Sequence, residues 1–221
     1  MMKSYHVDAT NISLAQLKKK IEATDLVPSR VALLDDISAI FSRLKENGIK
    51  TLADLRNALK TKKNALTVGA ETGLDGEYLL LLRREIEGYF PKPCSIDAFD
   101  WLPVGELKKL KNAGMTDAAS LFNSLVPGPK RQSICDDLGV ASETAATLFN
   151  LSDLTRIQWT SPTTARMLLA AGYTGAAKVA RANAEVLYRE LDAVNRAQQL
   201  FKGTIGLRDV RRLIIAASFV Q

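Results

Sequence analysis

Histidine and cysteine are nearly absent from this chain, which has one histidine and two cysteines among its 221 residues. Cys94 and Cys135 show no metal-ligand spacing and cannot form a disulfide framework. His6 lies in a terminus that we expect to fray, so no Ser–His or Cys–His pair is predicted. Glycine-rich phosphate loops and dinucleotide fingerprints are missing as well. The sequence therefore predicts no enzyme, no cofactor and no metal site.

Long apolar runs are also missing. No stretch of about 18 apolar residues occurs, which predicts no membrane span, and the N-terminus has no apolar segment typical of a secretory signal. Together with free thiols, this favours a cytoplasmic protein. The net charge is +6 and the pI about 9.3. Such a balance favours anionic partners, but a solvated basic surface is the simpler explanation of the charge alone.

The remaining composition indicates helices. Leucine and alanine recur at spacings of three and four, and alternating β-branched runs are missing, so an all-α fold is predicted. Ser13 is a candidate N-cap, and a helix is expected to restart after Pro28 and to end at Gly48. Pro91 and Pro93 cannot continue a helix.

The two prolines mark the predicted domain boundary. Residues 1–91 are expected to form an N-terminal helical unit with one hairpin repeat. Residues 92–221 are expected to form a domain with two hairpin repeats and a C-terminal helix that docks on the body.

Internal repetition supports this division. "LKENGIKTLADL" begins at Leu44 and "LKNAGMTDAASL" begins at Leu110, an offset of 66 residues. A third unit starts at "LLAAGYTGAAKVA", and a tryptophan lies thirteen residues before the turn glycine in the second and third units. Duplicated helical hairpins that share one core explain this pattern.

The stretch from Leu154 to Tyr173 resembles a helix-hairpin-helix motif. Ile157, Ala165, Leu168 and Gly172 occupy the scaffold positions of that motif. The resemblance implies a fold of tandem helix-hairpin-helix (SAM-like) units.

Most of the chain is also similar to a family of uncharacterised bacterial proteins, known only as a domain of unknown function and built from tandem helix-hairpin-helix units. This resemblance implies no activity. Its cues are "TDLVPSR", "LKTKK", "LLRREIEGYFPKP", "LSDLTRI" and "ANAEVLYREL".

The hairpins depart from the nucleic-acid-binding pattern at the turn. Glycines there let the backbone lie against a phosphate, which then meets the amides of the following helix. Trp159 and Ser161 replace both glycines in the third unit. The equivalent pairs are Trp101 and Pro103 in the second unit and Asp35 and Ile37 in the first, with Asp36 between the latter two.

Two groups of residues in the hairpins remain candidates. The amides and hydroxyls of Thr163 and Thr164 could hold an anion, unless Ser161 only caps an ordinary helix. Trp159 and Trp101 could stack on a base or on a partner side chain, but the repeated thirteen-residue spacing favours a place in the core.

Basic residues supply the other candidates for phosphate contact. Lysines follow the second hairpin turn, and further cations are expected in equivalent inter-helix loops of the first and second units. The alternative is that these charges only keep the surface soluble. The candidates are Lys108, Lys109 and Lys111, then Lys60, Lys62 and Lys63, then Lys130 and Arg131.

Two hypotheses for function follow. The first is low-specificity nucleic-acid binding through contacts to the DNA backbone. The alternative is a protein-protein interaction module whose hairpins have lost phosphate binding, since a fold does not fix a function.

Overall fold

The computed structural model describes residues 4–220, and no β-strand forms within them. The predicted all-α fold is confirmed. Residues 1–3 and 221, which belong to the two predicted domains, lie outside the described residues. The described chain divides into an N-terminal unit of residues 7–90 and a C-terminal unit of residues 91–220 that also includes residues 4–6.

The N-terminal unit contains five α-helices and two short 3₁₀ helices among its described residues. The 3₁₀ helices are Ala9–Asn11 and Pro28–Leu34. The α-helices are α1 (Leu14–Ala23), α2 (Ile37–Glu46), α3 (Leu52–Ala58), α4 (Lys62–Thr72) and α5 (Gly76–Glu87).

Local sequence explains where these helices begin. Ser13 caps α1 and forms a capping box with Gln16, as expected from the hydroxyl at this position. The prediction of one helix from Pro28 to Gly48 is wrong, because Asp36 has left-handed backbone angles (φ 48°) and separates the 3₁₀ helix from α2. A residue in that region cannot continue a right-handed helix.

The C-terminal unit contains one 3₁₀ helix, Ile96–Phe99, and eight α-helices among residues 91–220. These helices are α6 (Val104–Asn112), α7 (Ala118–Ser124), α8 (Pro129–Leu138), α9 (Ser142–Leu154), α10 (Pro162–Ala170), α11 (Ala176–Val179), α12 (Ala184–Gln198) and α13 (Leu207–Phe219).

Helices α2–α5 and α6–α9 repeat the same order at an offset of 66 or 67 residues. The repeat extends to the turns, since Gly48 and Gly114 both have positive φ, at 83° and 89°. It also extends to one side-chain contact. Arg43 donates to the backbone oxygen of Thr72 at the end of α4, and Lys109 donates to that of Gly139 at the end of α8. Both cations therefore satisfy the carbonyl end of a helix.

The first described residues are held firmly by the C-terminal unit. The Arg156 guanidinium, which is buried, donates to the backbone oxygens of Tyr5 and Val220, at 2.7 Å each, and also pairs with Asp153. His6 Nε2 lies 3.0 Å from the backbone oxygen of Pro91. The expectation that His6 lies in a frayed terminus is therefore wrong.

Candidate nucleic-acid interface

The α3–α5 groove of the N-terminal unit brings together cationic side chains from two helices. Arg56 projects from α3 and Arg83 from α5, and Lys60 follows α3 directly. The groove has a volume of about 440 Å³. It is lined by Ala9, Ala53, Arg56, Asn57, Lys60, Arg83 and Glu87.

Internal contacts fix the two arginines of this groove. Arg83 donates to the backbone oxygen of Lys60 through Nη2 at 3.2 Å, which also satisfies a carbonyl in the loop after α3. Arg56 pairs with Glu87 at 3.2 Å and stacks on the Phe90 ring. Lys60 makes no side-chain hydrogen bond or ion pair within residues 4–220. The groove therefore keeps a net positive charge.

A second groove of about 490 Å³ continues the first and shares Asn57 and Lys60 with it. Lys63 and Asn64 line it at the start of α4, and Glu71 lies further along the same helix. Because they share two residues, the two grooves form one continuous surface, which carries cationic side chains and the side-chain amides of Asn57 and Asn64. Amides of this kind donate hydrogen bonds to phosphate oxygens in protein–DNA interfaces.

The predicted loop positions of four basic residues are wrong. Lys62 and Lys63 lie in the first turn of α4, and Lys130 and Arg131 lie in the first turn of α8. Cations at a helix N-terminus oppose the helix dipole, by about 0.3–1 kcal/mol each at an exposed site. The Asn64 amide of the first turn of α4 donates to the Thr61 hydroxyl at 3.1 Å, so the exposed ammonium groups of Lys62 and Lys63 are what this turn offers an anion.

The equivalent groove of the C-terminal unit is closed by aromatic side chains. Phe122 of α7 and Phe149 of α9 stack with ring centroids 5.4 Å apart, and Tyr5 packs edge-on against Phe122. The guanidinium of Arg156 lies over the Phe122 ring, with its central carbon 4.4 Å from the ring centroid. Burial raises the pKa of Tyr5 to about 12, so its hydroxyl stays neutral and contacts Thr155. This α7–α9 groove is part of the core.

Lys108, Lys109 and Lys111 lie on α6, but only one of them is uncommitted. Lys109 holds the end of α8, as described above, and Lys111 pairs with Asp97 at 2.6 Å. The Lys111 ammonium holds the pKa of that carboxyl below its usual range. Lys108 is exposed and makes no ion pair or side-chain hydrogen bond among the described residues.

In the turn before α10, a backbone amide of the helix start is already bonded within the turn. Ser161 caps the helix and accepts from the Thr164 amide at 3.1 Å, and its hydroxyl contacts the Thr164 hydroxyl at 3.0 Å. Thr163 is half-buried beside them. The predicted core position of Trp159 is wrong, because its side chain is 47% exposed. Trp101 is half-buried and packs edge-on against Phe99.

A buried ionic cluster lies in the N-terminal unit. Lys20 is 8% exposed, and its ammonium lies 3.5 Å from the centroid of the Tyr89 ring. The Tyr89 hydroxyl donates to Glu85, which also faces Arg30 at 3.5 Å. Burial lowers the pKa of Lys20 to about 7, although the charge of Glu85 acts in the opposite direction.

Within residues 4–220, no three His, Cys, Asp or Glu side chains come together as metal ligands would. None of the helices in that range is both long enough and apolar enough to cross a membrane.

A family model described as Domain of unknown function (DUF4332) matches residues 104–219, which are more than half of the chain. The chain belongs to this family. The predicted resemblance to an uncharacterised domain family is thereby confirmed. No curated protein and no solved structure matches the chain.

The DUF4332 match covers helices α6 to α13, and so includes the hairpin turn and the closed α7–α9 groove. The α3–α5 groove lies outside the matched residues. Arg56, Asn57 and Arg83 are not among the residues that the sequence pattern singles out. The signal that could have found them is the offset of 66 residues, which aligns Arg56 with Phe122 and Arg83 with Phe149.

Proposed function

We propose that the protein binds the phosphate backbone of nucleic acids, with low sequence specificity, through the α3–α5 groove and the first turn of α4. The observation that carries this proposal is the convergence of Arg56, Lys60, Lys63 and Arg83 on two adjoining grooves. Glu87 and Glu71 are the acidic residues that line the same grooves.

Charge accessibility supports backbone contact. Lys60, Lys62 and Lys63 are exposed and have no acidic partner among the described residues, so an approaching phosphate does not have to displace an internal ion pair. Lysine ammonium groups act as point charges and do not impose bidentate base recognition. Contacts of this class position a duplex or a strand and carry no sequence information.

The proposal moves the phosphate contact away from the hairpin turns. The Thr164 amide already donates to Ser161, and the turn glycines of a phosphate-binding hairpin are replaced. We take the repeated units to be tandem helix-hairpin-helix (SAM-like) units that serve here as a scaffold, in a bacterial cytoplasmic protein where nucleic acid is abundant.

Fluorescence anisotropy tests this function. A labelled random-sequence duplex and a matching single strand are titrated with the protein at about 50 and about 200 mM salt. We expect saturable binding that weakens steeply at the higher salt. The double variant Lys60→Glu/Lys63→Glu should bind about tenfold more weakly or worse, with a shallower salt dependence by roughly one counterion per lost contact.

A matched control is the double variant Lys19→Glu/Lys45→Glu, which makes the same change of charge on two exposed lysines of the N-terminal unit outside both grooves. Its affinity should stay within about threefold of the unmodified protein, because a long-range charge effect is screened at these salt concentrations. Equal losses in the two double variants would contradict a binding site in the grooves.

One observation favours the second candidate, a protein-protein interaction module. Trp159 and Phe201 are both large, exposed apolar side chains, 47% and 42% exposed, and both line the same cavity of the C-terminal unit. Exposed aromatic side chains are enriched at protein interfaces. Absence of duplex and strand binding at about 50 mM salt would favour this candidate.

A further inference from the structure

Trp159 combines two features that core packing does not explain. Its backbone lies in the left-handed region (φ 66°), which is rare and strained for a bulky residue. Its side chain nevertheless remains 47% exposed. The residue holds the first glycine position of the hairpin, so the turn has kept the glycine-like backbone and gained an indole. A strained backbone that presents an exposed aromatic ring indicates a binding role.

Arg212 of α13 supports the indole from one side. Its guanidinium carbon lies 4.2 Å from the centroid of the Trp159 ring, a cation–π contact that orients both groups. The Arg212 Nε is buried and has no hydrogen-bond partner among the described residues. Leaving a charged donor without an acceptor is unfavourable. Because the Nε atom is closed to solvent, a ligand meets the Arg212 side chain where it lines the cavity and not at this atom.

The two side chains open onto a cavity of about 220 Å³, which Phe201 also lines. Thr164, Thr204 and Asp209 supply hydroxyl and carboxylate groups, and aliphatic side chains complete the walls. Pockets for drug-sized ligands have volumes of about 300–1,000 Å³, so this one is suited to a smaller group. A flat ring with donors and acceptors on its edge matches both the aromatic walls and the polar groups.

The charge of the lining residues bears on the class of ligand. Arg212 is the cation that lines the cavity and Asp209 is the carboxylate, which accepts a hydrogen bond from the Gly206 amide. Two exposed cations neighbour lining residues along the chain, Lys202 next to Phe201 and Arg208 next to Asp209. Cations in and beside an aromatic cavity favour a ring that is attached to phosphates.

We propose that this cavity, called here the Trp159 cavity, receives one unpaired nucleobase of a single strand, with a flanking phosphate near Arg212 and Lys202. The inference rests on the proposed nucleic-acid function and adds to it the class of ligand, a strand with exposed bases. Stacking on aromatic side chains tolerates any base, so the low sequence specificity proposed above is retained.

Tryptophan fluorescence tests this site directly. In the Trp101→Phe background, Trp159 is the remaining tryptophan of the chain. The probes are an oligothymidylate of about ten nucleotides, an abasic strand of the same length, and thymidine monophosphate up to about 10 mM. We expect saturable quenching by the oligothymidylate and by the mononucleotide, and none by the abasic strand.

A variant separates the cavity from the rest of the protein. Phe201→Ala should weaken oligothymidylate binding about tenfold in anisotropy and leave abasic-strand binding unchanged, because only a base can stack on the ring. The matched control Val186→Ala truncates another exposed apolar side chain, one outside the cavity, and should change neither affinity.

The outcomes distinguish the two proposals. If both strands bind equally and Trp159 is not quenched, the base site is overturned and the backbone function stands. If no strand binds at about 50 mM salt, the backbone function fails, and the mononucleotide titration decides the cavity alone. If neither oligothymidylate nor the mononucleotide quenches Trp159, the base site is overturned, whether or not the backbone function stands. The cavity would then be a candidate contact for a protein partner.

Discussion

The α3–α5 groove and the α7–α9 groove are built on the same repeated helices and are used in opposite ways. Arg56 and Arg83 line the first groove, and Phe122 and Phe149 occupy the positions 66 residues later. The arginines keep their groove open and cationic. The phenylalanines stack and are covered by Tyr5, which comes from the start of the described chain.

The core beneath the two grooves is the same. Leu55 and Leu59 of the first repeat are fully buried, and so are Leu121 and Leu125 of the second. The fold therefore depends on the leucine positions and tolerates either arginine or phenylalanine above them. The comparison teaches that two positions decide whether this groove packs against the chain itself or faces an external ligand.

The largest expected effect comes from placing an arginine, the residue found at position 56 of the α3–α5 groove, at the equivalent position 122 of the α7–α9 groove. Phe122→Arg would bury a second guanidinium beside Arg156 and remove the stack with Phe149. We expect the free energy of unfolding of the C-terminal unit to fall by about 3–5 kcal/mol, since an unpaired buried charge adds to the lost packing. Urea unfolding followed by circular dichroism measures the change.

Phe122→Leu is the matched control, because it removes the ring without adding charge. It should cost less, about 1–2 kcal/mol. If the arginine and leucine variants are equally stable, Phe122 is not buried beneath Tyr5 and the contrast between the grooves is lost.

A second feature of the N-terminal unit is its buried ionic cluster, in which Lys20 and Glu85 lie close to the Tyr89 ring and hydroxyl. Burial lowers the folded-state pKa of Lys20 from 10.5 to about 7. Between these values the folded unit binds fewer protons than the unfolded chain, so its free energy of unfolding rises with pH. Relative to Lys20→Met, the unmodified unit should gain on the order of 2 kcal/mol from pH 7 to pH 9.

Unfolding of both proteins at several pH values in this window measures the gain. Lys19→Met, which removes an exposed lysine from the same helix, should follow the unmodified protein at every pH. A constant difference between the unmodified protein and Lys20→Met across the window would show that Lys20 keeps an ordinary pKa.

The smallest expected effect on stability comes from the reverse exchange in the N-terminal groove. Arg56→Phe removes an exposed ion pair with Glu87, and such pairs contribute about 0–1 kcal/mol. Thermal unfolding should therefore change little, while duplex affinity in anisotropy should fall, because the groove loses a cation. A large loss of stability would mean that Arg56 serves the fold and not a ligand.

The sequence by itself determined the repeat and most of the helices, although it missed the break at Asp36 and the starts of α4 and α8. Apolar spacing predicts α1 and α13, Ser13 and Ser161 mark helix starts, and the glycine pattern at an offset of 66 residues predicts the recurring order of helices. These features depend on neighbours along the chain, where propensity and capping act. The family resemblance could be found in the same way, because it depends on the order of short segments.

Only the tertiary structure decided which charged and aromatic residues meet. Lys109 and Lys111 carry the same charge as Lys60 in the sequence, but two of the three are committed to Gly139 and Asp97. Contacts of this kind join residues that are distant along the chain. The same holds for Trp159, whose spacing matches that of Trp101, but whose surroundings are set by α13. Local pattern fixes a helix, whereas the fold fixes what each exposed side chain faces.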